Sequence, residues 1–369
     1  MKDTPNPLRE VASLFFKLGC IAFGGPASHV AMMEDEVVEK RKWMSRQHFL
    51  DLIGATNLIP GPNSTEMTMH CGYERGGWKG LFLAGGLFIL PAVIITLIFA
   101  YLYVEYGQMP EVEPFIYGIK PAVIAIILSA VYKLGKKAVK STWLGFIGLL
   151  AIALCLAGMH EILVLFGCGI LGMLWHFAQA SRKTTQSIVP FFLLQVGGWQ
   201  VFFTFLKVGA ILYGSGYVLF AFLDAELVNA GLLTRQELID AVAVGQMTPG
   251  PVLSTATFIG YQLGGFTGAM AATVGIFLPS FLFVLLLNPM VHKIRKYPLL
   301  SAFLDAVNAA AVGVILAVCI EMGMETLVGW RTIVIAIASL IIVFYFKKVN
   351  SAFVVLGGAV LGWVLMQVG

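Results

Sequence analysis

Two Pro-Gly-Pro tripeptides interrupt apolar stretches of the sequence, and hydroxyl-bearing residues follow each of them. The first tripeptide begins at Pro60 and the second at Pro249. Proline removes a backbone donor and disrupts a helix, and glycine loosens the backbone further. A helix that restarts after such a break presents unpaired N–H groups and a partial positive charge in its first turn, which favours an anion. These residue types at this spacing therefore predict an anion-binding site.

The predicted anion site comprises the two tripeptides, the residues that open the helices after them, and polar neighbours on the approach. From the first half of the chain we expect the following residues: Asn57, Pro60, Gly61, Pro62, Asn63, Ser64, Thr65 and Glu66. From the second half we expect the following: Gln246, Thr248, Pro249, Gly250, Pro251, Ser254 and Thr255. The alternative interpretation is that both breaks are kinks that only help helices to pack.

Three lysines and a group of glycines lie in the same apolar segments. We expect Lys17 and Lys207 to serve the anion; the alternative is that these long side chains reach out to the membrane interface. Lys120 is expected to line the same anion site, and the alternative is again that its side chain reaches the membrane interface. Its counterpart in the second half is Asn308. The glycines either expose backbone N–H groups to the anion or let helices pack closely; they are Gly24, Gly25 and Gly214.

Glu66 has no acidic counterpart, because Thr255 holds the matching position in the second half. A buried carboxyl group beside an anion site can take up and release a proton, which would couple the site to a proton gradient. The alternative is that Glu66 accepts hydrogen bonds from the backbone of its own helix.

The elements that position these residues occur twice, because the chain is an internal duplication. Lys17 corresponds to Lys207 and Pro60 corresponds to Pro249, so the offset between the copies is nearly constant. Chance similarity between apolar segments would not keep charged residues and prolines in register over such a span. We expect two homologous domains, at residues 1–185 and 195–369.

The composition is typical of a polytopic α-helical membrane protein. Hydrophobic residues make up 59% of the chain and charged residues 12%, whereas soluble domains contain about 25% charged residues. The five cysteines form no metal-binding or redox motif, so we expect no metal, cofactor or catalytic residue. Eight apolar windows are predicted to span the bilayer: Leu81–Val104, Phe115–Tyr132, Trp143–Ala157, Ile162–Phe177, Gly268–Leu287, Phe303–Ile320, Thr332–Phe346 and Ala352–Val368.

The loop charges predict that the two halves are inverted in the membrane. The windows Phe115–Tyr132 and Phe303–Ile320 correspond to each other and form the fourth element of each half, counted after the first helix, the Pro-Gly-Pro hairpin and the window that follows it. In the first half the basic loop around Lys137 follows this element, and an acidic loop around Glu111 precedes it. In the second half the basic loop around Lys293 precedes the fourth element, and the acidic residue Glu325 follows it. By the positive-inside rule the basic loops are cytoplasmic. Inversion requires an odd number of spans, so we expect about five per half plus a re-entrant Pro-Gly-Pro hairpin with arms at residues 49–59 and 63–72.

The sequence is similar to the chromate transporter (CHR) family of bacterial and archaeal membrane proteins over nearly its whole length. In the first half the resemblance lies in Phe23-Gly24-Gly25-Pro26, Pro60-Gly61-Pro62-Asn63-Ser64-Thr65-Glu66 and Gly86 to Pro91. In the second half it lies in Gln246-Met247-Thr248-Pro249-Gly250-Pro251, in Thr255 to Tyr261 and in Val307-Asn308-Ala309-Ala310. The resemblance implies two homologous domains, efflux of chromate from the cytoplasm, and sulfate as a competing look-alike.

The predicted function is therefore a secondary transporter that exports chromate across the cytoplasmic (inner) membrane, driven by the membrane potential, a proton gradient, or both. The first alternative is a carrier of sulfate or another oxyanion, coupled to protons through Glu66. An intramembrane enzyme is the alternative from another class, and it lacks a nucleophile–base or metal constellation in the sequence. The expected partners are the oxyanion and the lipid bilayer, with no nucleic acid; a homodimer stays open.

Overall fold

The computed structural model describes residues 6–23, 26–56, 59–107, 109–179, 200–213, 216–287, 298–346 and 349–367. These residues form helices and connecting turns without any strand, which confirms the predicted all-α class. Every apolar window predicted as a span coincides with a helix wherever the structure describes it. Six residues named above lie outside the described part of the chain: Gly24, Gly25, Asn57, Gly214, Lys293 and Val368.

The described residues of the first half form seven helices. Helix α2 continues directly into a π-helical turn at Asp35–Lys40. The helices are α1 Pro7–Ile21, α2 Pro26–Glu34, α3 Arg46–Thr56, α4 Asn63–Tyr106, α5 Glu113–Ala138, α6 Thr142–Leu156 and α7 Glu161–Gln179.

The second half repeats this order, including the π-helical turn, which here is Asp224–Val228 after α9. One 3₁₀ turn, Val252–Ser254, precedes α11. The helices are α8 Gln200–Ile211, α9 Val218–Leu223, α10 Arg235–Met247, α11 Thr255–Leu287, α12 Pro298–Thr326, α13 Trp330–Tyr345 and α14 Ser351–Gln367.

Four of the described helices are long and apolar enough to cross a membrane, as expected for a multi-pass membrane protein. Two of them, α4 and α11, reverse direction sharply within their length. The reversal in α4 is at Gly77, whose φ of 62° favours glycine, and the one in α11 is at Gly265, with φ 61°. Each is thus two antiparallel arms, and backbones touch between the arms where Gly72 faces Gly80.

The part of the chain before α3, which includes Lys17, does not form the single span that the expected count of about five spans per half requires there. Helix α1 has 15 residues, or about 22 Å, which is shorter than the hydrocarbon core of about 30 Å. The chain then turns back through α2, because Lys17 near the end of α1 pairs with Glu36 in the following π-helical turn at 3.5 Å. The π-helical turn that follows α2 therefore lies beside the end of α1.

The two halves are interlocked, because helices of each half pack against helices of the other. Helix α5 packs against α13 and α14 of the second half, and α12 packs against α6 and α7 of the first half. Small residues permit these contacts, for example where Gly118 meets the backbone of Gly358 and Gly362. The second arms of α4 and α11 also pack together, and Phe82 stacks on Phe281 with ring centroids 5.3 Å apart.

The Phe82–Phe281 stack also shows how these two arms are oriented. Phe82 comes soon after the reversal at Gly77, whereas Phe281 lies far along the arm that starts at Gly265. The start of the second arm of α4 therefore lies beside the far part of the equivalent arm of α11, which is the arrangement expected of arms that run in opposite directions.

We predict that the Gly72 contact is essential for stability. A Cβ atom at Gly72 would collide with the Gly80 carbonyl oxygen, whereas a Cβ atom at Gly86 in the same helix meets nothing within 4 Å. Gly72→Ala should lower the free energy of unfolding by about 1–3 kcal/mol, since overpacking forces the backbone to shift. Thermal unfolding in detergent should detect this. Gly86→Ala is the matched control and should be neutral; equal melting temperatures for both variants would contradict the prediction.

Candidate functional site

Both Pro-Gly-Pro tripeptides lie at interruptions between helices, buried within the protein. In the first half α3 ends at Thr56, and α4 begins after Pro62. In the second half α10 ends at Met247, and the 3₁₀ turn begins after Pro251. The central glycines have φ of 140° at Gly61 and 88° at Gly250. These are backbone conformations that other residues rarely adopt, so glycine is needed at both positions.

The two breaks are tied to opposite halves by a reciprocal pair of backbone hydrogen bonds. The Gly61 N–H donates to the Leu212 carbonyl at 2.6 Å, and the Gly250 N–H donates to the Ala22 carbonyl at 2.8 Å. Ala22 directly follows α1, the first helix of the first half, and Leu212 directly follows α8, the first helix of the second half. Carbonyl groups at the end of a helix have no partner within that helix. The break in each half therefore satisfies the end of a helix in the other half.

The hydroxyl side chains that follow the breaks are fully or almost fully buried. In the second half Ser254 lies 3.2 Å from the hydroxyl of Thr96, and Thr255 donates to the Val252 carbonyl at 2.8 Å. In contrast, Thr65 Oγ1 and Gln246 Nε2 are buried without a hydrogen-bond partner among the described residues. Native proteins rarely leave buried polar atoms unpaired, and a bound ligand is one explanation.

Neither helix that restarts after a break has a capping side chain. The position before α4 is Pro62 and the position before the 3₁₀ turn is Pro251, and no side-chain hydrogen bond caps either start. Thr248, on the approach, uses its hydroxyl to donate to the Gly245 carbonyl at 3.1 Å. No side chain therefore competes with an anion for the N–H groups of these first turns, of which those of Thr65, Glu66 and Ser254 also donate to the carbonyl of the preceding proline.

Glu66 lies in the first turn of α4 and is completely buried. The Ser280 hydroxyl from α11 lies beside its carboxyl group, and both face the α-carbon of Gly61. Among the described residues no cation pairs with Glu66. Burying an uncompensated carboxylate is costly, so this group is suited to proton exchange.

Two residues near the breaks were not identified from the sequence. Ser280 was missed because nothing in its local sequence links it to Pro60-Gly61-Pro62, which it meets only in the folded chain. His29 in α2 is buried, packs edge-on against Phe88 at 5.7 Å between ring centroids, and lies beside Ala22. Its duplication counterpart is the apolar Leu219, so comparison of the two halves does not mark His29 as a candidate site residue.

Lys17 and Lys207 form the same ion pair in each half, away from the breaks. Lys17 lies 3.5 Å from Glu36, and Lys207 lies 2.6 Å from Glu226. Glu36 and Glu226 are themselves duplication counterparts, in the same register that relates the two lysines. Burial alone would raise the pKa of Glu36, but the neighbouring cations, chiefly Lys40, hold it below its ordinary value. The structure thus places both lysines against carboxylates.

Lys120 and Asn308 also differ in their surroundings. Lys120 lies 3.4 Å from Asp240, and the Tyr103 hydroxyl donates to the same carboxylate at 2.7 Å. These contacts join α4 and α5 to α10, the arm that leads to the second break. Asn308 lies half-buried in α12. The structure does not bring Lys120 and Asn308 into direct contact with the tripeptides.

The family model described as "Chromate transporter" matches residues 9–173 and again residues 199–363. The chain belongs to the chromate transporter family. The two matches fit two homologous halves, and each includes one Pro-Gly-Pro break. No solved structure matches the chain.

Three relatives of this family member are named as transport proteins. The chromate transport protein of Cupriavidus metallidurans is 32% identical over 97% of this chain and 93% of its own length. The probable chromate transport protein of Synechococcus elongatus is 32% identical over 90% and 89%. The chromate transport protein of Pseudomonas aeruginosa is 29% identical over 98% and 93%. These names agree with the prediction that the chain is not an enzyme.

We predict that the space around Gly61 is required for oxyanion binding. A Cβ atom at Gly61 would collide with the Glu66 carboxyl and the Ser280 hydroxyl. Gly61→Ala should therefore weaken chromate binding at least about tenfold, the factor that corresponds to about 1.4 kcal/mol. A ligand-induced thermal shift in detergent measures this.

The matched control for Gly61→Ala is Gly158→Ala. Gly158 also has a positive φ, 82°, but a Cβ atom there meets nothing within 4 Å. Both variants share the backbone strain, and only Gly61→Ala crowds the break. An equal loss of binding in the two variants would mean that strain, and not the geometry of the break, is responsible.

We further predict that Lys207 acts through Glu226. Lys207→Met leaves the Glu226 carboxylate with only His160, at 3.7 Å, among the described cations near it, and transport should fall strongly because an almost unpaired charge is left in a half-buried position. The double variant Lys207→Met/Glu226→Gln removes that charge and should regain most of the transport rate. A double variant as inactive as the single one would instead assign Lys207 to the anion.

Proposed function

We propose that this protein is a secondary transporter that exports chromate, a tetrahedral dianion, across the cytoplasmic membrane. The observation that supports it best is the pair of buried helix breaks, each tied to the other half and each followed by hydroxyl groups. Membership of the chromate transporter family and the names of the relatives support the choice of chromate.

In this proposal the oxyanion binds between the restarting helices α4 and α11. The first-turn N–H groups supply donors and partial positive charge, as helix N-termini do for oxyanions. Thr65 and Gln246 supply side-chain donors that have no other described partner. Discontinuous helices near the midplane, contributed by both halves, are typical binding sites of secondary transporters built from inverted repeats.

The proposed site between α4 and α11 recognises the oxyanion mainly through partial charges and hydroxyl groups rather than through lysines. Lys17, Lys207 and Lys120 each lie against a carboxylate, so little of their charge is free to hold a dianion. A site of this kind binds the dianion without a full counter-charge, which allows release on the other side of the membrane.

The membrane potential is sufficient to drive export of a dianion. Moving one elementary charge across 100 mV is worth about 2.3 kcal/mol, so a dianion that leaves an inside-negative cell gains about 4.6 kcal/mol. We infer that the potential is the main driving force.

Proton coupling is the second candidate, and the position of Glu66 favours it. The carboxyl group is fully buried in the turn that follows the first break, close to where the oxyanion would bind. A charged carboxylate there would repel a dianion, so anion binding and protonation of Glu66 would be linked. Sulfate has the same shape and charge as chromate and is the expected competitor.

Reconstituted vesicles test this proposal directly. Vesicles loaded with labelled chromate should release it faster when an inside-negative diffusion potential is imposed, and external sulfate should compete in the reverse assay. Changing either Pro-Gly-Pro tripeptide to alanines should abolish release, because a continuous helix misplaces the N–H groups. Release that follows only an imposed pH gradient, and that stops in Glu66→Gln, would replace the potential-driven account with proton coupling. Failure to move chromate under both gradients would refute the substrate.

A further inference from the structure

Arg235 is the centre of a charged cluster that joins α10 to a neighbouring helix of the interlocked set. It contacts Asp224 at 3.0 Å, Glu321 at 2.9 Å and Glu325 at 2.7 Å. Asp224 belongs to the π-helical turn of the same half, and its side chain is only 1% exposed. Glu321 and Glu325 come from the end of α12. The guanidinium group of Arg235 therefore connects α10, the helix that leads to the second break, with α12, which packs outside it.

The first half has the same arginine without this connection. Arg46 is the counterpart of Arg235, and it pairs with Glu34, the counterpart of Asp224, at 2.9 Å. Its side chain is 71% exposed, against 19% for Arg235. No ion pair links Arg46 to α5 among the described residues.

The two halves carry opposite charges at the two positions that pair with Arg235 in the second half. Glu321 and Glu325 correspond to Lys133 and Lys137 in α5, in the same register that relates Asn308 to Lys120. Lysines opposite Arg46 would repel it, whereas glutamates opposite Arg235 attract it. Both halves therefore keep an inner ion pair, which is Arg46–Glu34 in the first half and Arg235–Asp224 in the second. Among the described residues the outer connection, from this arginine to Glu321 and Glu325, occurs only in the second half.

The cluster also borders a cavity. The cavity has a volume of about 270 Å³ and lies between α5, α10, α12 and α13. Glu325 lines it on one side and Lys120 lines it on another, next to the Lys120–Asp240 pair. Gln236, the residue after Arg235, also lines it. Separation of α10 from α12 would widen this cavity toward the second break.

We propose that Arg235, Glu321 and Glu325 form a latch that closes the transport path on one face of the membrane and opens once in every transport cycle. This rests on the proposed transport function. Carriers built from inverted repeats work by exchanging the conformations of their halves. Here Arg235 forms ion pairs with the outer helix of its half, whereas Arg46 forms no such pair among the described residues. Arg235 keeps Asp224 throughout, because the equivalent pair persists in the unlatched first half.

Accessibility of the cavity tests the latch without any substrate. A cysteine at Tyr117, which lines the cavity, is introduced after the five native cysteines are replaced, and its labelling by a membrane-impermeant maleimide is timed. Glu321→Gln/Glu325→Gln should speed labelling by about fivefold, as expected for the loss of two partly exposed ion pairs. The matched control, Lys133→Gln/Lys137→Gln, changes the equivalent positions in the first half and should leave the rate unchanged. Equal rates in the latch variant and its control would overturn the proposal.

Cross-linking gives the second measurement. A reversible bifunctional thiol reagent that joins cysteines placed at Arg235 and Glu325 should stop transport, and reduction should restore it. The control joins cysteines at Arg46 and Glu34, the inner pair that stays together in this account, and should leave transport intact. Continued transport with the first cross-link complete would also overturn the latch. Altered labelling in a protein that moves no chromate would keep the latch and refute only the proposed substrate.

Discussion

Backbone groups at the two helix breaks must find partners inside the protein, because the bilayer interior offers no water to satisfy them. The structure meets this constraint with two hydrogen bonds, from Gly61 to Leu212 and from Gly250 to Ala22. Each bond joins a break in one half to the end of a first helix in the other. At both breaks the partner of the central glycine is thus supplied by the other half.

This dependence explains why the two halves are interlocked rather than placed side by side. The packing of α5 and α12 against helices of the opposite half holds the two halves in the relative position in which the two backbone hydrogen bonds form. Glycines at the crossing points, such as Gly118, let backbones touch and keep that relative position fixed. The breaks thus lie within a frame of closely packed helices contributed by both halves. Such an arrangement suits a carrier, which must alter access to a site while preserving the geometry of the site.

The parts of the fold that depend on local sequence could be predicted. Apolar length identified the helices, the positions of proline identified the breaks, and the regular offset between copies identified the duplication. Contacts between distant residues could not be predicted in the same way. The pairing of Lys17 with Glu36 required knowledge that the chain turns back after α1, and the sequence shows only an apolar segment followed by a charged one. Nothing local marks Ser280 as a neighbour of Glu66, because the two residues belong to different halves of the chain.

In the proposed transport cycle the oxyanion binds where the two breaks expose the first turns of α4 and α11. Anomalous scattering from chromium, measured on crystals grown with chromate, locates the ion directly. We expect one main peak between these helix starts, within hydrogen-bond distance of the Thr65 hydroxyl. A main peak in the cavity beside Lys120, with none at the breaks, would contradict it.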